Sequence, residues 1–423
     1  MTGGPPIPSD EPDVGAGDRP SEDPGADEWR DPPPVDADPC CEVGVIVGLD
    51  DIDRQASVPV VAWNGAGWGV SFSDTPAPPD WSGPERRTLF GRIDEIGHAV
   101  GPPRVLGGFD AFPTDLAWGN NRYALLTTGP RLSDGPALLA ILDSEGEARQ
   151  VTSIPESNGG AAVERYPLIH GWAVATYFDT DGGESGLSRL VLFDDSLNRL
   201  PAEQDLGITL HADWRSISVV PSKRRLSVVH ATENGILHRA FDGVDLTEDT
   251  AARALVWPGT YDVEGPRREE PPPQRVASAV SATRLRDAVI VAFMNRRDVA
   301  TVVIDPFGEE PPTAPVPVAQ SPSHRNPGIA GDDITGTAGI CFPSGAGPLG
   351  GGAPDADQLR FAAVGPDGQP VGEPVTIISD LSYVAACDVA AAGPGEWFVV
   401  WWNAAREEPR HSISGARVTL RGR

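Results

Sequence analysis

Apolar residues in this chain fall in short alternating or continuous runs, and each run stops at Gly, Pro, Asn or Asp. Such punctuation argues against long helices and for short strands joined by turns. One stretch shows the pattern clearly: Thr114 to Trp118, Tyr123 to Thr127, Ala137 to Leu142 and Gln150 to Thr152 read as four strands, with Asn120-Asn121 turning the first pair. The same plan returns near the end as Tyr383 to Ala386, Trp397 to Trp402 and Ser412 to Val418.

A repeat runs through the chain. An apolar strand followed by an acidic turn recurs at Ile93-Asp94, Leu142-Asp143, Phe193-Asp194, Phe241-Asp242 and Ile304-Asp305, and continues at Val364 and Val418. The last apolar residues of successive copies lie 48 to 63 positions apart. A Gly follows the acidic residue in most copies, as in Asp143-Ser144-Glu145-Gly146, and supplies the positive φ that tight turns need. Two strands precede each repeat strand and a shorter one follows, which makes the four-stranded blade of a propeller.

The predicted fold is therefore all-β: a seven-bladed β-propeller of four-stranded blades, beginning near residues 57, 109, 160, 210, 275, 325 and 380. The last copy reaches Arg423 with three strands only, and Val43 to Val47 is an unused apolar segment. That segment is predicted to close the last blade, which removes an exposed sheet edge. The alternative is a ring of six blades in which residues 43 to 47 are a first strand. Tryptophans 63, 68, 118, 172, 397, 401 and 402 fall on predicted strands and read as packing between blades. Pro-rich Gly265 to Pro273 and the segment Gly345 to Pro354 read as solvated insertions.

Residues 1–39 hold ten prolines and eleven acidic residues with almost no aliphatic side chains, so they are predicted to be a disordered, extended leader, with the propeller spanning 40–423. The net charge of −28 excludes a nucleic-acid binder. The single lysine, Lys223, reflects GC-rich codon use and takes no functional weight. No apolar run is long enough to cross a bilayer as a helix. Residues 1–15 lack the basic and apolar regions of an export signal, yet the leader resembles the spacer that follows one; an extracytoplasmic place, cell envelope or secreted, is expected. A monomer is expected.

The four cysteines, Cys40, Cys41, Cys341 and Cys387, allow three pairings. None has the paired spacing of a zinc site, so disulfides are expected. In the predicted ring Cys341 and Cys387 face each other across a blade interface, whereas Cys40 or Cys41 bonded to Cys387 would lock the closing strand instead; spacing leaves both open.

With its apolar strand, Asp-x-x-Gly turn and short polar strand, best seen in Leu142-Asp143-Ser144-Glu145-Gly146, the chain resembles bacterial extracytoplasmic β-propeller proteins, many of them surface lipoproteins. The resemblance covers residues 43–423 and is one of fold. It implies a ring with a ligand face and carries no activity across, since its members include binders, scaffolds and enzymes. The Ser-x-Asp-x-Gly-x-x-Trp boxes of sialidase-like chains, the Trp-Asp dipeptide of WD40 repeats and the Gly-x-Ser-x-Gly elbow do not occur.

Candidate site residues are those placed at the start of inner strands, where loops would line one mouth of the channel: Arg165 and Tyr166; His211, Asp213 and Trp214; Arg325 and Asn326; Ser382 and Tyr383. Aromatic and Arg side chains there suit a glycan, a peptide or a partner protein. Asp179, Asp181 and Glu184 share one turn and are a weak calcium candidate; no other cofactor is expected. The expected function is non-catalytic recognition on one ring face. The alternatives are a polysaccharide hydrolase or lyase, which needs two facing carboxylates, and a structural scaffold.

Overall fold

A computed structural model describes residues 38–50, 54–76, 86–128, 135–178, 185–210, 216–232, 235–256, 280–295, 298–307, 310–320, 326–345, 357–379, 384–403 and 412–422. Within them, 28 strands make seven four-stranded antiparallel sheets. The outermost strand of the last sheet is β1 (Cys41–Gly48). Blade one is β2 (Arg54–Trp63), β3 (Gly67–Pro76), β4 (Arg87–Asp94) and β5 (Arg104–Leu106). Blade two is β6 (Pro113–Gly119), β7 (Arg122–Thr127), β8 (Ala137–Leu142) and β9 (Ala148–Ile154). Blade three is β10 (Gly159–Tyr166), β11 (Gly171–Phe178), β12 (Ser185–Asp194) and β13 (Arg199–Leu210).

Blade four is β14 (Ile217–Pro221), β15 (Arg225–Thr232), β16 (Gly235–Asp242) and β17 (Thr247–Val256). Blade five is β18 (Val280–Leu285), β19 (Ala288–Asn295), β20 (Asp298–Ile304) and β21 (Val316–Gln320). Blade six is β22 (Gly328–Asp332), β23 (Thr337–Ser344), β24 (Gln358–Val364) and β25 (Val375–Ile378). Blade seven is β26 (Val384–Gly393), β27 (Glu396–Asn403) and β28 (Ser412–Leu420), completed by β1 in the order β1-β28-β27-β26.

Seven sheets, not six, enclose the channel, and the segment at 43–47 closes the last of them: Val43 lies opposite Val418 and Val47 opposite Gly415. Each blade buries both faces against its neighbours. Among the described residues the apolar core divides into seven clusters, and each joins two consecutive blades, the last joining blade seven to blade one. Trp68 of β3 meets Phe398 of β27 at that last junction, with ring centroids 5.1 Å apart. Trp68, Trp172, Trp397 and Trp401 are fully buried, as blade packing predicts.

The repeated acidic residue is a turn cap. Asp94 accepts the amides of Ile96 and His98, Asp143 those of Glu145 and Glu147, and Asp194 those of Ser196 and Asn198, all at 2.8–3.1 Å. Asp305 and Asp367 do the same for Phe307 and Gln369. A carboxylate suits this place because the turn leaves two N–H groups, two residues apart, without ladder partners, while the amide between them donates to the Asp carbonyl. Asn120 and Asn121, at φ 52° and 59°, make the tight turn predicted for β6–β7.

Inner strands have one edge without a ladder partner, and side chains of the preceding blade satisfy part of it. Asp115 accepts the Val163 amide (2.7 Å), Ser218 that of Ala282 (3.1 Å), Thr283 that of Gly331 (3.0 Å) and Asp388 that of Val61 (2.8 Å). These bonds tie inner strand to inner strand around the channel.

Cys341 of β23 and Cys387 of β26 form a disulfide between blades six and seven, with Cα atoms 6.4 Å apart. The alternative pairing of Cys387 with the closing strand is corrected by register. Cys387 lies opposite Trp401, Trp401 opposite Ser414, and Ser414 opposite Gly48 at the far end of β1, whereas Cys41 pairs with Leu420 at the near end. Cys40 and Cys41 are instead buried free thiols in the core between blades six and seven. The leader was expected to end at residue 39; its last two residues already touch the ring, with the Glu373 amide donating to the Asp38 carbonyl at 3.0 Å. Residues 1–37 and the two insertions, Gly345 apart, lie outside the described residues.

Candidate functional site

The inner strands all finish on the same face of the ring, as contacts between their ends show. Tyr166, ending β10, reaches the turn after β14; Gly395, after β26, donates to Asp332 at the end of β22. Arg165 and Tyr166 therefore stand where their strand leaves the channel, and this corrects the expectation that they begin an inner strand. Pro167 opens a 3-10 turn through Ile169, and His170 at φ 49° sends the chain into β11. Asn326 precedes β22 and so belongs to the opposite face, where it is buried. The structure thus does not bring Asn326 together with Arg165 and Tyr166. His211, Asp213, Trp214, Arg325, Ser382 and Tyr383 lie outside the described residues, as do Asp179, Asp181 and Glu184.

Tyr166 is a strut. Its ring is fully buried and its hydroxyl lies 3.2 Å from both the Arg224 and the Gly243 carbonyls of blade four. Burial pushes the phenol up to about 12, with the Asp242 charge adding to the shift. Arg165 lies against the β6–β7 turn of blade two. Its guanidinium lies over the Trp172 ring at 5.2 Å, donates to the Gly171 carbonyl at 3.1 Å and pairs with Asp195. Gly119 is required beside it, because a Cβ there would sit 2.5 Å from the Arg165 side chain.

A recess of about 430 Å³ opens on this face across blades three, four and five. Its walls are the ends of β10, β14 and β18, contributing Glu164 and Arg165, then Val219 to Lys223, then Ala282 to Arg284. Ser222 brackets its turn, lying 3.2 Å from the Arg225 carbonyl and 3.3 Å from the Arg225 amide, so Lys223 projects from the tip. A groove continues from Ser222 past Arg286 and Asp287 to Phe307.

Among the residues lining the recess, Glu164 is the one whose acidity its surroundings shift. Desolvation in the wall, helped by the Asp115 charge, pushes its carboxyl up to about 8. A carboxyl raised in this way holds its proton to higher pH and, while protonated, donates as well as accepts a hydrogen bond. Asp115 is committed elsewhere, with one oxygen taking the Leu116 amide at 2.9 Å and the other the Val163 amide at 2.7 Å. Among the described residues, no three His, Cys, Asp or Glu side chains converge as a metal site.

Sequence reasoning named Arg165 and missed Glu164, Ser222, Lys223, Thr283 and Arg284. The available signal was the basic run Lys223-Arg224-Arg225 with Arg284 and Arg286, conspicuous in so acidic a chain.

Comparison with solved structures settles the architecture. The WD40 domain of Toxoplasma gondii coronin superposes with a TM-score of 0.51 over 92% of this chain and 90% of that one, at 10% identity. The chain is a β-propeller. The Dos1 propeller matches with a TM-score of 0.48 over 90% of this chain and 95% of that one, at 11% identity. At such identities the likeness is one of fold. No family model matches the sequence, and no curated protein matches it.

Proposed function

We propose that this propeller is an extracytoplasmic recognition module that takes a glycan, a peptide or a segment of a partner protein on the face where its inner strands end. The observation that carries the reading is the recess over blades three to five, which combines adequate volume with convergent charged and hydroxyl-bearing side chains. The Cys341–Cys387 disulfide supports an oxidising compartment. A hydrolase reading has one observation in its favour, the Glu164 carboxyl pushed up by burial with Asp115 close by. Asp115 spends both oxygens on backbone amides, however, and this removes the second carboxylate such chemistry needs.

The test is binding of the purified ring to glycan and peptide arrays, with Ala282→Trp as the blocking variant because its side chain would fill the recess. Ligands captured by the parent and lost by Ala282→Trp at unchanged melting temperature are the expected result. Ligands retained by the variant would move the site elsewhere, and turnover of a bound polysaccharide would reinstate the hydrolase. For the compartment, denatured, unreduced protein from its native host is expected to titrate two thiols, Cys40 and Cys41; four would contradict export.

A further inference from the structure

We propose that the ligand of this recess is an acidic oligosaccharide, its carboxylates held by Lys223, Arg284 and Arg286 and its hydroxyls by Ser222, Thr283 and Glu164. The proposal rests on the recess being the ligand site and adds the class of ligand.

Charge is the first argument. In a chain of net charge −28, the recess and its groove carry four cations, Arg165, Lys223, Arg284 and Arg286, against two carboxyls, Glu164 and Asp287. Arg165 is neutralised by Asp195, but the others are not comparably matched. Among the described residues neither Lys223 nor Arg286 has a carboxylate within ion-pair distance, and Arg284 has only the half-exposed Asp333 at 3.7 Å. Cations that stabilise a fold are paired, as Arg87 is with Asp74 and Arg239 with Glu248. Unmatched ones gathered at a concave site set a local positive potential that attracts anions. The Lys223 ammonium and the Arg286 guanidinium suit carboxylate groups, and Arg284 beside them keeps part of its fork free after giving one N–H to the Arg286 carbonyl at 2.9 Å.

The remaining wall distinguishes a saccharide from a peptide. The Ser222 and Thr283 hydroxyls each engage backbone groups and keep a lone pair for a further donor, and Glu164, its carboxyl pushed up to about 8 by burial, adds a group that can donate as well as accept. Sugar hydroxyls need that dual capacity. The apolar part of the recess wall is made of short or ring-closed side chains, Val219, Val220, Ala282, Pro167 and Pro221, without an aromatic or long aliphatic residue.

The test is calorimetric titration with trigalacturonate, neutral maltotriose and pentaglutamate, using the parent and Lys223→Glu. Lys223 is exposed on a turn, so its reversal leaves the melting temperature unchanged. Trigalacturonate is expected to bind, to weaken as ionic strength rises, and to lose about tenfold or more in affinity to Lys223→Glu, with maltotriose weaker by a similar factor. Equal binding of maltotriose, or indifference to Lys223→Glu, overturns the charge argument while leaving the recess a ligand site. Pentaglutamate binding in place of trigalacturonate overturns the ligand class. If trigalacturonate fails altogether the proposal falls, whereas the recess falls as a site only on the array result with Ala282→Trp.

Discussion

Asp388, on the innermost strand of the last blade, accepts the backbone amide of Val61, on the innermost strand of the first, at 2.8 Å. The bond crosses the seam where the ring shuts, between residues 327 positions apart, and repeats there what Asp115, Ser218 and Thr283 do at other junctions. Removing the acceptor leaves a desolvated N–H. Asp388→Ala is expected to cost about 1–3 kcal/mol in thermal or denaturant unfolding, with Asp388→Asn costing less because it keeps an acceptor. An unchanged midpoint for Asp388→Ala would show that the seam is held by apolar packing alone.

The disulfide closes a loop between residues 46 apart in sequence and staples blade six to blade seven. Loop-closure entropy gives such a bond about 4 kcal/mol. The double variant Cys341→Ser/Cys387→Ser is expected to unfold at correspondingly lower denaturant, and mild reduction should reproduce the loss in the parent. No change on reduction would mean that the bond does not form in solution.

Deleting residues 38–48 removes β1 and exposes the edge of β28, together with the core that Cys40, Cys41 and Val43 cover. The truncated chain is expected to melt about 10 °C lower or more and to associate through the bared edge. A synthetic peptide of residues 38–48 added in trans should restore the elution volume of the intact ring. A truncated chain that elutes and melts like the parent would rule out β1 as the closure.

Glu164 makes stability fall with rising pH. Its carboxyl titrates at about 8 in the folded chain against an ordinary 4.5, so the folded state binds the proton more tightly. The stabilisation is complete below pH 4.5, declines between 4.5 and 8, and is gone above 8. Glu164→Gln keeps the shape without the titration. It is expected to match the parent near pH 4 and to exceed it by ~1–2 kcal/mol near pH 9, a figure discounted for solvent in the channel. Parallel stability–pH curves for parent and variant would place Glu164 in water.

Much of the ring was legible locally. The strands predicted from Thr114 to Thr152 recur as β6 to β9 with ends shifted by no more than two residues, because each carries its own apolar run and its own turn residues. The candidate site was far less legible. The start of β10, Gly159-Gly160-Ala161-Ala162, carries no large side chain to mark it as a strand; the space is filled from outside by Tyr177 and Leu126, which a Cβ at Gly159 or Gly160 would strike at 2.0 and 2.4 Å. The blade was expected to begin near residue 160, but its inner strand was placed too late, so Arg165 and Tyr166 were assigned to the wrong end of it and Glu164 had no place at all.

Alternating polarity, Asp-capped turns and the spare apolar segment at 43–47 specified the blades and favoured seven of them closed by that segment over six, since these follow from interactions between residues near in sequence or from the count of unpaired strands. Which cysteines bond, which end of each inner strand meets which, and the grouping of Glu164, Lys223 and Arg284 came only with the folded ring. Those groups sit on three different blades, and their approach is set by how neighbouring blades pack around a common axis, a quantity that no local pattern encodes.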